Sequence, residues 1–143
     1  MKDIAFIAAQ AIWGFPQTAL GCAVCLAHRR RPHFRYHGAI VTSWDNAKGM
    51  SLGPFIFLNG PHSAADTAIF EETVDTDLLA HEYGHCVQSL ILGPLYLPLV
   101  GIPSVLWSNV PRFERYRRKK QVSYYDFLPE RSATRLGNRV LKN

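Results

Sequence analysis

Two long uncharged stretches, separated by a mixed block, set the hydropathy pattern of this chain. Ile4 to Ala27 and Ser89 to Val110 carry no formal charge, while the residues between them alternate between short apolar runs and polar clusters. Within that block, Gly38-Ala39-Ile40-Val41-Thr42-Ser43-Trp44 and Pro54-Phe55-Ile56-Phe57-Leu58 read as strands, parted by the turn residues Asp45-Asn46-Ala47-Lys48-Gly49. Together they predict a small sheet. Thr73 to Leu92 reads as a helix, with Thr73 or Asp75 as N-cap and the acids Glu71, Glu72, Asp75 and Asp77 at the positive end of its dipole. Leu78, His81, Glu82 and His85 share one stripe of it; Leu79, Cys86, Val87, Leu90 and Ile91 make the remainder apolar, so the helix is expected to be largely buried. Pro129 suits the first turn of a last helix, on which Glu130, Ala133, Thr134 and Gly137 fall on one face and Leu136 and Val140 continue an apolar side.

The first uncharged stretch, as one helix, is long enough to cross about 30 Å of hydrocarbon. Gln10, Gln17 and Thr18 dilute its apolarity, Pro16 suits a kink, and Trp13 suits an interface or interior packing. A cleaved signal peptide fits poorly, because Asp3 offsets Lys2 and the apolar run before Gln10 is short. The expectation is an N-terminal transmembrane-like helix over 4–27, with a core helix hairpin as its alternative. The arginines that follow it would lie in the cytoplasm and the N-terminus outside. Gly93-Pro94, Pro98, Gly101 and Pro103 interrupt the second stretch repeatedly. Basic charge leaves that segment on the side from which the preceding helix enters it, so 89–110 is expected to be re-entrant or interfacial rather than a single crossing.

Charge sharpens this picture. The 143 residues carry a net charge of +5, and most of the Lys and Arg lie just after the two uncharged stretches: Arg29, Arg30, Arg31 and Arg35, then Arg112, Arg115, Arg117, Arg118, Lys119 and Lys120. Anionic lipid headgroups are the expected partner of the Arg112 to Lys120 cluster. No recognition motif accompanies it, so nucleic acid is not expected as a partner. The length suits one domain over 1–143: a membrane helix over 4–27, strands and a buried helix over 36–88, the broken apolar segment over 89–110, and a basic segment with a final helix over 111–143. Cys22, Cys25 and Cys86 form no disulfide framework or zinc knuckle and read as small packing residues, in keeping with a reducing setting.

The candidate chemistry lies in His81-Glu82-Tyr83-Gly84-His85. Residues i and i+4 of a helix share a face, so both imidazoles can reach one metal ion, and Glu82 beside them can take a proton from water that the metal activates. A catalytic zinc has three protein ligands and an open position, so a third ligand is needed. Gln88 stands where the extended motif would place Gly, which leaves a carboxylate on another element. Glu130 is the leading candidate, ahead of Glu114 and Asp126; His62 reads as a surface histidine. Tyr124 or Tyr125 is the candidate donor to an oxyanion.

These residues resemble the zincin metallopeptidases of gluzincin type, which carry H-E-x-x-H on one helix and a Glu on a second. More closely, the motif with Gln88, Leu92-Gly93-Pro94-Leu95-Tyr96 and Gly101-Ile102-Pro103-Ser104 resembles a family of small bacterial membrane-associated proteins. That likeness runs from Trp13-Gly14-Phe15-Pro16-Gln17 through Ser51-Leu52-Gly53 to Pro129-Glu130. It implies zinc held by His81, His85 and Glu130, Glu82 as general base and then acid, and a peptide or protein substrate. By the same likeness an edge strand pairs with an extended substrate, a role open to either predicted strand. Such families usually show Glu-x-x-Ala-Asp on the second helix, the Asp supporting a histidine ligand; Thr134 stands here instead, able to hydrogen-bond but uncharged.

The sequence therefore leads to an α+β fold, mainly helical, with a zincin-like metal helix, a second Glu-bearing helix, a small β-sheet and the N-terminal transmembrane-like helix. The expected function is a membrane-associated, zinc-dependent metallopeptidase in a bacterial inner or plasma membrane, its active site on the cytoplasmic side. The alternative is a non-catalytic membrane protein with a structural zinc or packing histidines.

Overall fold

His37 and Gly38 both adopt positive φ, 46° and 86°, which reverses the chain in two residues and pairs β1 (His33–Tyr36) antiparallel with β2 (Ala39–Trp44). In the computed structural model, which describes residues 2–142, this hairpin begins a four-stranded sheet of order β1-β2-β4-β3. β4 (Phe55–Asn59) pairs parallel with β2, and β3 (Met50–Leu52) pairs antiparallel with β4. The two predicted strands are thus its central pair. β1 and β3, too short to stand out in the sequence, are its edges.

Alternation along the central strands gives the sheet two buried faces. Val41, Ile56 and Leu58 point one way, into a core with Phe34, Phe70, Leu79, Tyr83 and Cys86. The opposite face is covered by α2 (Phe15–Ala27), where Gly21 lies against Phe55 and Cys25 against Thr42. α3 (Thr67–Thr73) ends at the extended Val74, so the helix expected over Thr73 to Leu92 does not begin at Thr73. Instead Asp75 caps α4 (Thr76–Leu92), accepting from the backbone N–H groups of Asp77 and Leu78 at 3.0 Å each. Beyond Gly93 the chain passes through a 3₁₀ turn, a π-helical turn over Leu97–Gly101, and α5 (Ile102–Asn109). The basic α6 (Pro111–Lys120) and α7 (Leu128–Leu141) follow.

The transmembrane-like helix over 4–27 is corrected by the structure. The stretch forms two helices, α1 (Lys2–Trp13) of 12 residues and α2 of 13, broken at Gly14. Among the described residues, no helix is long and apolar enough to cross a membrane. At 1.5 Å per residue, α1 is about 18 Å long, well short of a 30 Å hydrocarbon layer. The polar residues that diluted the stretch determine its course. Gln10 and Gln17 are fully buried against α4: Gln10 Nε2 donates to the Cys86 carbonyl (2.7 Å), Ser89 Oγ donates to Gln10 Oε1 (2.8 Å), and Gln17 Nε2 donates to Ser89 Oγ (2.9 Å) and the Gly93 carbonyl (2.8 Å). Desolvated amides need such partners, so the helices turn these positions inward.

α7 lies along α4 at backbone contact. A Cβ at Gly84 would overlap the carbonyl oxygen of Ala133, and one at Gly137 would overlap that of Ala80. Replacing either glycine with alanine must push the two helices apart. Gly84→Ala and Gly137→Ala are each expected to lower stability by about 1–3 kcal/mol. Gly101→Ala, whose added methyl meets the flexible end of Leu97 at 3.2 Å and Tyr96 at ordinary van der Waals distance, should stay within about 0.5 kcal/mol of wild type in a denaturant titration.

Candidate metal centre

One turn of α4 separates His81 from His85, and both rings face the first turn of α7, where Glu130 is 0% exposed. His81 Nε2 lies 3.1 Å from Glu130 Oε2, and His85 Nε2 lies 3.3 Å from the same oxygen. Among the described residues these three side chains form a buried group that could hold a metal ion. Glu114 instead pairs with Arg118 at the surface (2.7 Å), Asp126 accepts from the Ser123 N–H (3.0 Å), and the exposed His62 lies 3.4 Å from Asp45. The preference for Glu130 over the other carboxylates agrees with this geometry.

The outer nitrogens of the two imidazoles decide what the inner ones present. Thr134 Oγ1 donates its proton to the Glu130 carbonyl (3.0 Å), so it faces His81 Nδ1 at 2.9 Å as an acceptor. Gln88 Nε2 donates to the Pro129 carbonyl (2.8 Å) and to Ser132 Oγ (2.5 Å), which turns Gln88 Oε1 toward His85 Nδ1 at 2.7 Å. Both rings therefore carry hydrogen on Nδ1, which turns both Nε2 atoms toward one carboxylate oxygen. Each Nε2 can meet that oxygen through its own proton or through a shared metal ion. Four ligands around zinc at about 2.0–2.1 Å stand about 3.3 Å apart, close to the spacings seen here. Glu130 Oε1, buried and without a hydrogen-bond partner among the described residues, adds a further free lone pair. The donor set could thus hold a metal ion.

The electrostatics reflect the same contacts. Burial discourages charge on His85, but its hydrogen bond to Glu130 and the nearby Glu82 and Glu130 charges outweigh this and raise its pKa. For Glu130, burial favours the neutral acid, yet contact with His81 and His85 prevails and holds it well below the usual carboxylate range. Burial and the Glu130 charge push the Tyr124 phenol above its ordinary value, and Tyr125 is raised by burial and the Glu82 charge. Both remain O–H donors at neutral pH.

Glu82, also buried, bonds to neither imidazole. Ser51 Oγ approaches its Oε2 at 2.5 Å, and its Oε1 fills the space that a side chain at Gly49 would need. Two cavities share Gly49, Glu82, Ser108 and Tyr124 in their walls. One, of about 250 Å³, is largely apolar, lined by Leu52, Leu97, Ile102 and Val105, and reaches His85 and Glu130. The other, of about 720 Å³, reaches His81, Thr134 and Tyr125. Tyr124 faces both; Tyr125 lines only the second and sets its ring edge-on to His81, 5.1 Å between centroids.

Strand pairing revises the assignment of the substrate-binding edge. The two predicted strands are interior, each hydrogen-bonded on both sides, so neither is free to pair with a peptide along its length. β3 is the edge strand beside the cleft, with Met50, Ser51 and Leu52 in the wall. Sequence reasoning also missed Ser51, Gly49 and the role of Gln88. Only Gln88, one turn after His85, had a readable spacing; the other two reach Glu82 through the tertiary fold. Compared with known proteins, the chain matches no family model, no curated sequence and no solved structure.

The geometry makes metal retention testable residue by residue. His81→Ala and Glu130→Ala should each abolish stoichiometric zinc binding, measured by elemental analysis after dialysis. Thr134→Val, which removes the acceptor for His81 Nδ1, should weaken zinc affinity about 10- to 100-fold in a chelator competition.

Proposed function

We propose that the chain is a zinc-dependent peptidase of gluzincin type, with His81, His85 and Glu130 as metal ligands. The observation that carries this reading is the carboxylate of Glu82, held in the cleft by Ser51 next to three converging donors yet bonded to none of them. No fourth donor joins the group among the described residues, which favours an open site over the closed four-ligand set of a structural zinc. Zinc, when bound, polarises the scissile carbonyl and lowers the pKa of a water molecule.

The chain's own residues supply the remaining functions. Glu82 removes a proton from the attacking water as its oxygen bonds to the carbonyl carbon, then returns that proton to the leaving nitrogen as the C–N bond breaks. Ser51 fixes the Glu82 carboxylate through Oε2, and Gly49 leaves room for Oε1. Tyr124, facing both cavities, donates to the developing oxyanion, a role its geometry suits better than that of Tyr125. β3 offers an edge for an extended peptide laid across the two cavities.

Glu82→Gln keeps the shape of the side chain but cannot accept the proton. It should retain zinc at wild-type stoichiometry and lose turnover of a synthetic peptide library by about 10²- to 10⁴-fold, read by mass spectrometry. Retained turnover would overturn the mechanism, and a wild-type protein that holds zinc but cleaves nothing would favour the structural-zinc alternative. Gly49→Ala displaces the Glu82 carboxylate without touching the ligands. Its kcat should fall about 10²-fold, with zinc affinity unchanged.

A further inference from the structure

Helices α1 and α2 are inside out. Their buried positions include Gln10, Gly14, Gln17 and Gly21, whereas from Ile4 to Ala27 every exposed position is apolar. Ile12 is 82% exposed and Phe15 65%. The segment 91–106 repeats the pattern: its exposed positions are Ile, Pro, Leu and Val throughout, with Leu99 at 54%. The two surfaces adjoin where the Trp13 ring lies against Gly93. Scattered apolar side chains on a surface are ordinary, but a continuous face without a polar position calls for a cover.

Charge identifies the cover. The loop from Asp45 to Lys48 ties the ends of both apolar segments together: Asp45 pairs with Arg31 just after α2 (2.5 Å), and Lys48 Nζ donates to the Ser108 carbonyl (2.9 Å) and Asn109 Oδ1 (3.0 Å) at the end of α5. Arg29 and Arg30, exposed, therefore lie at the same end of the molecule as α6. On α6, Arg112, Arg115, Lys119 and Lys120 are also exposed, while Arg117 sits over the Trp107 ring and Arg118 pairs with Glu114. An apolar face edged by basic side chains at one end complements a bilayer leaflet, acyl chains beneath and anionic headgroups at the rim.

The geometry points to this face as a docking surface for an anionic lipid bilayer, on which the protein lies without spanning it. Aliphatic and aromatic side chains of α1, α2 and 91–106 enter the leaflet, and the free basic residues meet the headgroups. Docking needs neither the metal nor turnover, so it stands or falls apart from the peptidase reading.

Flotation of the purified full chain with vesicles of phosphatidylcholine, with and without phosphatidylglycerol, tests it. The wild type and Glu82→Gln should float alike with anionic vesicles, and salt should weaken the association. Ile12→Glu and Leu99→Glu alter exposed positions, so they should keep wild-type circular dichroism and zinc content yet stay at the bottom of the gradient. Arg112→Ala and Arg115→Ala should each weaken partitioning about fivefold. Failure of the wild type to float with anionic vesicles, or equal flotation with neutral ones, would overturn the proposal. So would a lipid-free wild-type oligomer that Ile12→Glu and Leu99→Glu turn into a monomer, since the face would then belong to a second copy of the chain.

Discussion

A fully buried carboxylate is the constraint around which this molecule is arranged. An isolated charge of that kind costs several kcal/mol in a protein interior, so Glu130 must be matched on the spot. The matching groups come from one turn of α4, and they reach Glu130 only because α4 and α7 touch at the backbone. Gly84 and Gly137 make that contact possible, each lying over a carbonyl of the opposite helix. Any side chain at either glycine would part the helices, taking the carboxylate away from both imidazoles. Packing and site chemistry are therefore one problem, solved by two missing methyl groups.

Thr134 shows how the same arrangement works without a second charge. In the pattern that the sequence resembles, an aspartate would accept the His81 Nδ1 hydrogen and make the imidazole more basic. Here a hydroxyl whose proton is already given to the Glu130 carbonyl accepts it instead. The ring is still oriented, but its Nε2 gains no electron density from that neighbour. Gln88 treats His85 in the same way, through a neutral amide oxygen held by α7. Both imidazoles are thus fixed by neutral acceptors, and Glu130 is the carboxylate in contact with them.

Helix α4, the grouping of His81 with His85, and the Glu130 partner were legible in the sequence because each rests on short-range spacing: i to i+4 on α4, and Glu130, Ala133 and Gly137 on one face of α7. The central strands were legible as apolar runs. What escaped depends on contacts between distant parts of the chain. Ser51 and Gly49 meet Glu82 only because β3 pairs with β4 and packs on α4. The parallel pairing of β2 and β4 has no local signature, and it is what makes β3 the edge beside the cleft. The uncharged N-terminal stretch misled for a related reason. Apolar length alone suggested a spanning helix, but the cost of desolvating two amides decided the matter. Gln10 and Gln17 needed partners, and α4 supplied them.

That choice has a consequence for the whole outer surface. A helix has a limited perimeter, and once its glutamines and glycines face inward, its isoleucines, leucines and aromatic rings have nowhere to go but out. Each large apolar side chain left in water forgoes about 1.5–3 kcal/mol relative to full burial, and nothing inside the chain offsets it. The broken segment after α4 adds to the same face, since Gly93 gives way to Trp13 and joins the two surfaces. It also serves the cleft: Ile102 and Val105 are exposed on that face and at the same time line the cavity that reaches His85 and Glu130. A cover placed over the face would therefore bear directly on the apolar wall of the site. The face and the metal centre are linked through one short run of chain, and a change in what covers the first alters the surroundings of the second.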